Sequence, residues 1–164
     1  MSGPPGLLGV QSFAVRRVLL RSVQSALQEF GLLQYERFAL LTGQRLGARA
    51  LVRTLWVPRQ RPESHDRGLS VTVPGEELQR LNTEWSKRNE QLMIQVHSHP
   101  TVPYHSSTDD RFPMVTIEGG LSIVVPLFGF TSLTDLQACA VFRLEMGVWR
   151  WLPPEESAAL IHLV

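Results

Sequence analysis

The hydrophobic positions along the chain follow two different periods. Residues 13 to 30 carry apolar side chains at helical spacing and stop at Gly31, which predicts a helix with a glycine just past its end. The same reasoning predicts a second helix over residues 75 to 90 and a short one from Pro154. Runs rich in β-forming residues predict strands at about 36 to 42, 48 to 57, 69 to 73, 91 to 97, 122 to 128, 136 to 145 and 148 to 152. The pattern predicts a mixed α/β fold.

The chain length predicts a single folded domain. With 164 residues, 43% of them hydrophobic, the chain is large enough for one core and short for two. Residues 1 to 9 are rich in glycine and proline and are expected to form a flexible tail, which leaves 10 to 164 as the domain. Segments 58 to 68 and 128 to 135 are polar and are predicted to be exposed loops.

Composition narrows the classes of function. A single cysteine, Cys139, rules out a disulfide framework and favours a reducing, cytoplasmic setting. The N-terminus lacks the pattern of a secretory signal, and no window reaches the roughly 18 apolar residues of a membrane span. The 16 basic and 15 acidic residues are scattered, with a net charge of +1, so neither nucleic acid nor membrane is an expected partner.

Candidate chemistry is concentrated at the end of one predicted strand. His97 and His99 follow the apolar residues 92 to 96, and side chains two apart in a strand point to the same face. Two imidazoles so placed can share one zinc ion, and the loop that follows is long enough to bring back Asp110 as an oxygen ligand. Three protein ligands leave the fourth zinc position open for water, as in catalytic sites, so one Zn²⁺ per chain is expected.

The polar residues of this loop have a second interpretation. Ser107 and Asp110 also fit a capping box, in which Ser107 caps a short helix and Asp110 lies in its first turn. Helix capping and metal binding are compatible. His105 falls outside the ligand spacing and is expected to face solvent or the rim of a substrate site.

The spacing His-x-His, seven residues, Ser, two residues, Asp resembles the signature of the JAMM (MPN+) zinc metalloproteases. The upstream family pattern E-x-x-G-L-L-x-G is matched by ERFALLTG, with Glu36 seven residues before Gly43 and Ala39 in place of the usual glycine. The resemblance implies an MPN (cytidine-deaminase-like) fold, a mixed β-sheet flanked by helices. It implies His97, His99 and Asp110 as zinc ligands, Glu36 as catalytic base and Ser107 as oxyanion donor.

The bacterial members that this chain resembles imply a substrate class. They cleave after the C-terminus of a ubiquitin-like protein, in maturation or deconjugation, and some are encoded beside E1- and E2-like enzymes in antiphage systems. Two alternatives stay open: processing of a sulfur-carrier protein or cysteinyl adduct by the same chemistry, and a non-catalytic MPN scaffold. Glu29 competes with Glu36 for the role of base. Loop 58 to 68 is expected to flank the bound substrate tail.

Overall fold

The computed structural model describes residues 6–65, 68–102, 114–133 and 136–164. Within them the chain forms a mixed α/β domain, which confirms the predicted fold class. The elements are β1 (Ser12–Val15), α1 (Arg17–Gly31), β2 (Phe38–Leu46), β3 (Arg49–Trp56), β4 (Arg61–His65), β5 (Gly68–Thr72), α2 (Gly75–Lys87), β6 (Gln91–Ser98), β7 (Leu121–Val125), β8 (Ala140–Glu145), β9 (Val148–Leu152), α3 (Pro154–Leu160) and β10 (Ile161–Leu163). A short 3₁₀ helix spans Leu127–Gly129.

Eight of the strands form one sheet in the order β10-β1-β3-β2-β6-β7-β8-β9. β6 lies near its centre, antiparallel to β2 on one side and parallel to β7 on the other. Strands β4 and β5 form a separate antiparallel hairpin. A strand in the middle of a sheet has no free edge, so the end of β6 is enclosed by its neighbours on both sides.

The central sheet buries apolar side chains on both faces. Ala39 and Leu41 of β2 belong to the main core, which also contains the apolar side of α1. Leu40 lies between them in sequence and belongs to a second cluster with Leu81 and Trp85 of α2. Because neighbouring residues of a strand point to opposite faces, α1 and α2 cover opposite faces of the sheet.

The first helix begins later than the hydrophobic pattern predicted. Residues 12–15 form β1, which pairs in parallel with both β3 and β10, and α1 begins at Arg17. Gly31 is the last residue of this helix and not the residue after it, and a Cβ there would lie 2.4 Å from the backbone oxygen of Phe128. Glycine is therefore needed at this position because the chain after β7 crosses it closely.

Two predicted loops contain regular structure. Segment 58 to 68 was expected to be a loop, but it contains β4 and the first residue of β5, so this prediction was wrong. Segment 128 to 135 begins inside the 3₁₀ helix. The predicted strand at 136 to 145 is shorter and starts at Ala140.

The folded part of the chain also begins before Val10. Leu7, in the predicted tail, is fully buried, and its backbone N–H donates to the Glu118 oxygen at 2.7 Å. Arg143 donates to the Leu7 oxygen at 2.7 Å as well. Among the described residues, no helix combines the length and apolar character needed to cross a bilayer.

Candidate metal centre

The two histidines predicted as metal ligands lie together at the end of β6. His97 pairs with Phe38 of β2 and with Val124 of β7, and His99 follows the last residue of the strand. Their ring centroids are 4.8 Å apart with an interplanar angle of 57°. The strand alternation thus brings the two imidazoles to the same face, as the spacing predicts.

Both histidines are shielded from solvent: His97 is 0% exposed and His99 3%. The Phe38 ring lies 4.9 Å from the His97 ring, on the side of β2. Two buried imidazoles in contact supply nitrogen donors of the kind that zinc prefers, in a setting that keeps bulk water away. The donor chemistry of this pair fits two ligands of a zinc ion.

Glu36 lies just before β2 and is half-buried. The pairing of β2 with β6 continues past Phe38, because the Ser98 N–H donates to the Arg37 oxygen at 3.2 Å and the Arg37 N–H donates to Ser98 Oγ at 3.0 Å. Extending this antiparallel register by one residue sets Glu36 opposite His99. The tertiary structure therefore brings the upstream glutamate to the histidine pair.

The neighbouring Arg37 shows which face Glu36 takes. Its guanidinium donates to the Ala26 oxygen and to Glu29, each at 2.8 Å, so it points toward α1. Since neighbouring positions alternate, Glu36 lies on the opposite face, with Phe38 and His97. Glu29, the competing carboxylate, has a side chain that is 74% exposed and pairs with Arg37. The structure separates Glu29 from the histidines by the thickness of the sheet.

The chain leaving His99 is fixed by the segment after β7. The His99 N–H donates to the Val125 oxygen at 2.7 Å, and the Phe128 N–H donates to the His99 oxygen at 2.7 Å. Leu127 and Phe128 have φ angles of 56° and 54°, in the left-handed region that bulky residues rarely adopt. The surrounding structure holds an unfavourable backbone conformation where it contacts the histidine segment, as is common near functional sites.

Gln60 was not singled out by sequence reasoning, yet it contacts β2 beside the histidines. Its Nε2 donates to the Phe38 oxygen at 3.0 Å, and its Oε1 accepts from the Phe38 N–H at 2.6 Å. The side chain thus pairs with Phe38 as a neighbouring strand would. A lone glutamine in a polar segment carries no sequence signal for this role.

Glu77 fixes the segment just before Gln60. It lies at the start of α2 and is 1% exposed; its carboxylate accepts from the Arg59 N–H at 3.0 Å and from the Arg80 guanidinium at 2.7 Å. The hydrogen bond from Arg80, aided by Arg59 and opposed by burial, lowers the pKa of Glu77 to about 2. From the sequence alone, Glu77 is only an acidic residue in the first turn of a helix, where the helix dipole favours negative charge.

Three of the residues considered in the sequence lie outside the described part of the chain: Ser107, Asp110 and His105. Within the described residues, no group of three or more His, Cys, Asp or Glu side chains is arranged to hold a metal ion. The described part of the candidate centre therefore consists of His97 and His99, with Glu36 beside them.

Comparison with known proteins identifies the family of this chain. The family described as prokaryotic homologs of the JAB domain matches residues 15–128. The chain is 35% identical to a protein named "Probable metalloprotease y4jG" from Sinorhizobium fredii. The alignment spans 156 residues and covers 94% of each of the two chains. The fold is similar to the solution structure of protein DSY2949 from Desulfitobacterium hafniense, with a TM-score of 0.58 and 18% identity over 93% of this chain and 92% of that one. The motif resemblance is thus confirmed at the level of the family: this chain belongs to the prokaryotic homologs of the JAB domain.

Proposed function

We propose that this protein is a zinc-dependent metallopeptidase that cleaves after the C-terminus of a ubiquitin-like protein, in maturation or deconjugation. The observation that carries the proposal is the buried His97–His99 pair, with 4.8 Å between ring centroids. Glu36 lies opposite His99 when the β2–β6 register is continued past Phe38. The similarity to a protein named as a probable metalloprotease supports the same class of chemistry.

In this proposal His97, His99 and Asp110 would hold the zinc. A bound Zn²⁺ supplies Lewis acidity and lowers the pKa of its water to about 7. Glu36 accepts the proton of the attacking water and transfers it to the leaving amine nitrogen, because an amide anion is a poor leaving group. The Ser107 hydroxyl donates a hydrogen bond to the oxygen of the scissile carbonyl as negative charge develops there.

A protein substrate with an extended C-terminal tail is proposed because of the strands that lie near the histidine pair. A flexible C-terminal tail can be bound through main-chain hydrogen bonds when it adds to a strand edge. The β4–β5 hairpin begins one residue after Gln60, which is bonded to Phe38 beside the histidines. The hairpin is therefore a suitable flank for a substrate tail approaching the centre. E1- and E2-like enzymes that conjugate the same substrate are the further partners in this proposal.

The first test distinguishes the role of Asp110 as a metal ligand from the role of Glu36 as the catalytic base. The Asp110→Ala variant should lose most of its zinc, because an oxygen ligand is removed, whereas Glu36→Gln should keep about one zinc per chain and lose turnover. Zinc is measured by elemental analysis after dialysis, and turnover with a ubiquitin-like protein from the same operon that carries a C-terminal extension. Glu29→Gln is the matched control and should retain activity, since its carboxylate lies on the other face.

Three results would each contradict part of the proposal. Near wild-type cleavage by Glu36→Gln would remove Glu36 as the base. Absence of stoichiometric zinc from the wild-type protein would favour a non-catalytic scaffold. Cleavage of small cysteinyl adducts but not of the extended ubiquitin-like protein would retain the zinc chemistry and change the substrate.

Ser107 has its own test. If its hydroxyl stabilises the oxyanion, Ser107→Ala should lower kcat by about 10² to 10³ with little effect on zinc content. Single-turnover kinetics and elemental analysis measure the two quantities separately. An unchanged kcat would leave Ser107 with the capping role alone.

A further inference from the structure

Gln95 is a buried polar residue that the reaction does not explain. It lies on β6 two residues before His97, on the same face of the strand, and is 1% exposed. Its Oε1 accepts hydrogen bonds from two consecutive backbone amides, Met114 N–H at 3.0 Å and Val115 N–H at 2.9 Å. Its Nε2 donates to Ser122 Oγ at 3.2 Å. Each of these distances is that of a good hydrogen bond.

These bonds hold the point at which the chain returns to the sheet. The chain leaves β6 after Ser98, and Met114 is the residue that Gln95 binds on its return. The departure is fixed separately, by the hydrogen bond from the His99 N–H to the Val125 oxygen at 2.7 Å. Both ends of the intervening segment are therefore attached to β6 or to its neighbour β7.

The attachment has a consequence for the proposed third ligand. Asp110, the proposed third ligand, precedes Met114 by four residues in the sequence. Gln95 and His97 are adjacent on one strand face, with Cα atoms about 7 Å apart. The hydrogen bonds of Gln95 therefore hold Met114, the first described residue after the proposed ligand, beside the strand face that carries His97.

We propose that Gln95 is a positioning residue of the metal centre, whose buried carboxamide fixes the return of the ligand-bearing segment relative to His97. The identity of the third ligand rests on the proposed function; the hydrogen bonds of Gln95 do not. Mutation of residues that orient metal ligands without touching the metal typically weakens metal binding by about 10- to 100-fold. In this role Gln95 acts through the backbone amides of Met114 and Val115 and not by contact with metal or substrate.

The experiment measures zinc affinity of the full-length chain by competition with a chromophoric chelator at pH 7. Gln95→Met keeps the length and burial of the side chain but cannot accept a hydrogen bond from either backbone amide. It should weaken zinc binding by about 10- to 100-fold. Gln95→Glu keeps an acceptor oxygen for both amides, so its zinc affinity should stay within about threefold of the wild-type value. Gln95→Asn is one methylene shorter and should fall between the two.

Ser122→Ala is the matched control. It removes the partner of Gln95 Nε2 but leaves the two backbone amides bound, so it should lower the unfolding temperature without weakening zinc binding. Amide hydrogen exchange provides a readout that needs no metal. In the zinc-free protein, the Met114 and Val115 amides should exchange slowly in the wild type and in Gln95→Glu, and at least tenfold faster in Gln95→Met.

The outcomes distinguish this inference from the proposed function. Wild-type zinc affinity in a folded Gln95→Met variant would overturn the role of Gln95 and leave the metallopeptidase proposal intact. Failure of the wild type itself to bind zinc would overturn both. If Gln95→Met does not fold, the comparison passes to Gln95→Asn and Ser122→Ala, and equal zinc affinity in those two variants would reject the inference.

Discussion

Replacing Glu77 with glutamine should destabilise the protein at neutral pH and remove part of its sensitivity to acid. The wild-type carboxylate is 1% exposed and accepts hydrogen bonds from the Arg59 backbone and from the guanidinium groups of Arg59 and Arg80. Glutamine retains one acceptor oxygen but has no charge to pair with the two arginines. The variant should therefore weaken the link between α2 and the segment that holds Gln60.

The magnitude follows from the pKa of Glu77, which is lowered from 4.5 to about 2. A tenfold change in proton affinity corresponds to about 1.4 kcal/mol, so the full effect would be about 3 kcal/mol. The Arg59 and Arg80 side chains are 76% and 51% exposed, and water screens their charge. The expected contribution is therefore smaller, about 1 to 3 kcal/mol.

The pH dependence has a definite sign. Because the folded protein lowers this pKa, the stabilisation is complete above about pH 5 and is lost as the pH falls through 4.5 toward 2. The wild type and Glu77→Gln should differ most in free energy of unfolding at neutral pH. Their difference should shrink as the pH falls from 5 to 3.

Urea denaturation at several pH values measures this difference. A chelator should be present throughout, because metal release from histidines would add its own pH dependence. The matched control is Glu84→Gln on the same helix, whose carboxylate is 42% exposed and pairs with Lys87 at 3.0 Å. It should change stability by less than about 0.5 kcal/mol. If Glu77→Gln behaved like Glu84→Gln, the buried ion pair would not stabilise this fold as argued.

Two further predictions concern the sheet and the hairpin. A Cβ at Gly43 would lie 1.9 Å from the Leu51 backbone oxygen, at the bulge between β2 and β3, so Gly43→Ala should cost at least about 2 kcal/mol in urea denaturation. Gly47→Ala is its control, because no atom of the described residues beyond its chain neighbours lies within 4 Å of a Cβ at this position. Only its φ of +63° opposes the change, which should cost about 1 kcal/mol. Replacing residues 62 to 71 with a short Gly/Ser link, while keeping Gln60, should raise KM for a folded ubiquitin-like substrate much more than for a short tail peptide. Equal effects on both substrates would assign the hairpin to the shape of the active site.

The sequence by itself determined the parts of this protein that depend on local periodicity. Helical spacing located α1 and α2 to within a few residues, and the apolar run before His97 located β6. The common face of His97 and His99 follows from the alternation of a strand, whatever the strand pairs with. The motif spacing was also sufficient to indicate the family, which the comparisons confirm.

The tertiary structure decided everything that depends on pairing between distant segments. Residues 13 to 15 belong to the predicted helix, yet they form part of β1 because β3 and β10 supply hydrogen-bond partners on both sides. Glu36 comes to lie opposite His99 only when the register of β2 with β6 is continued past Phe38, and no local pattern specifies that register. Gln60, Glu77 and Gln95 have ordinary polar side chains in the sequence. Their roles arise because folding places them, Glu77 and Gln95 buried and Gln60 half-buried, beside backbone groups that need hydrogen-bond partners. Those partners are known only once the sheet is assembled.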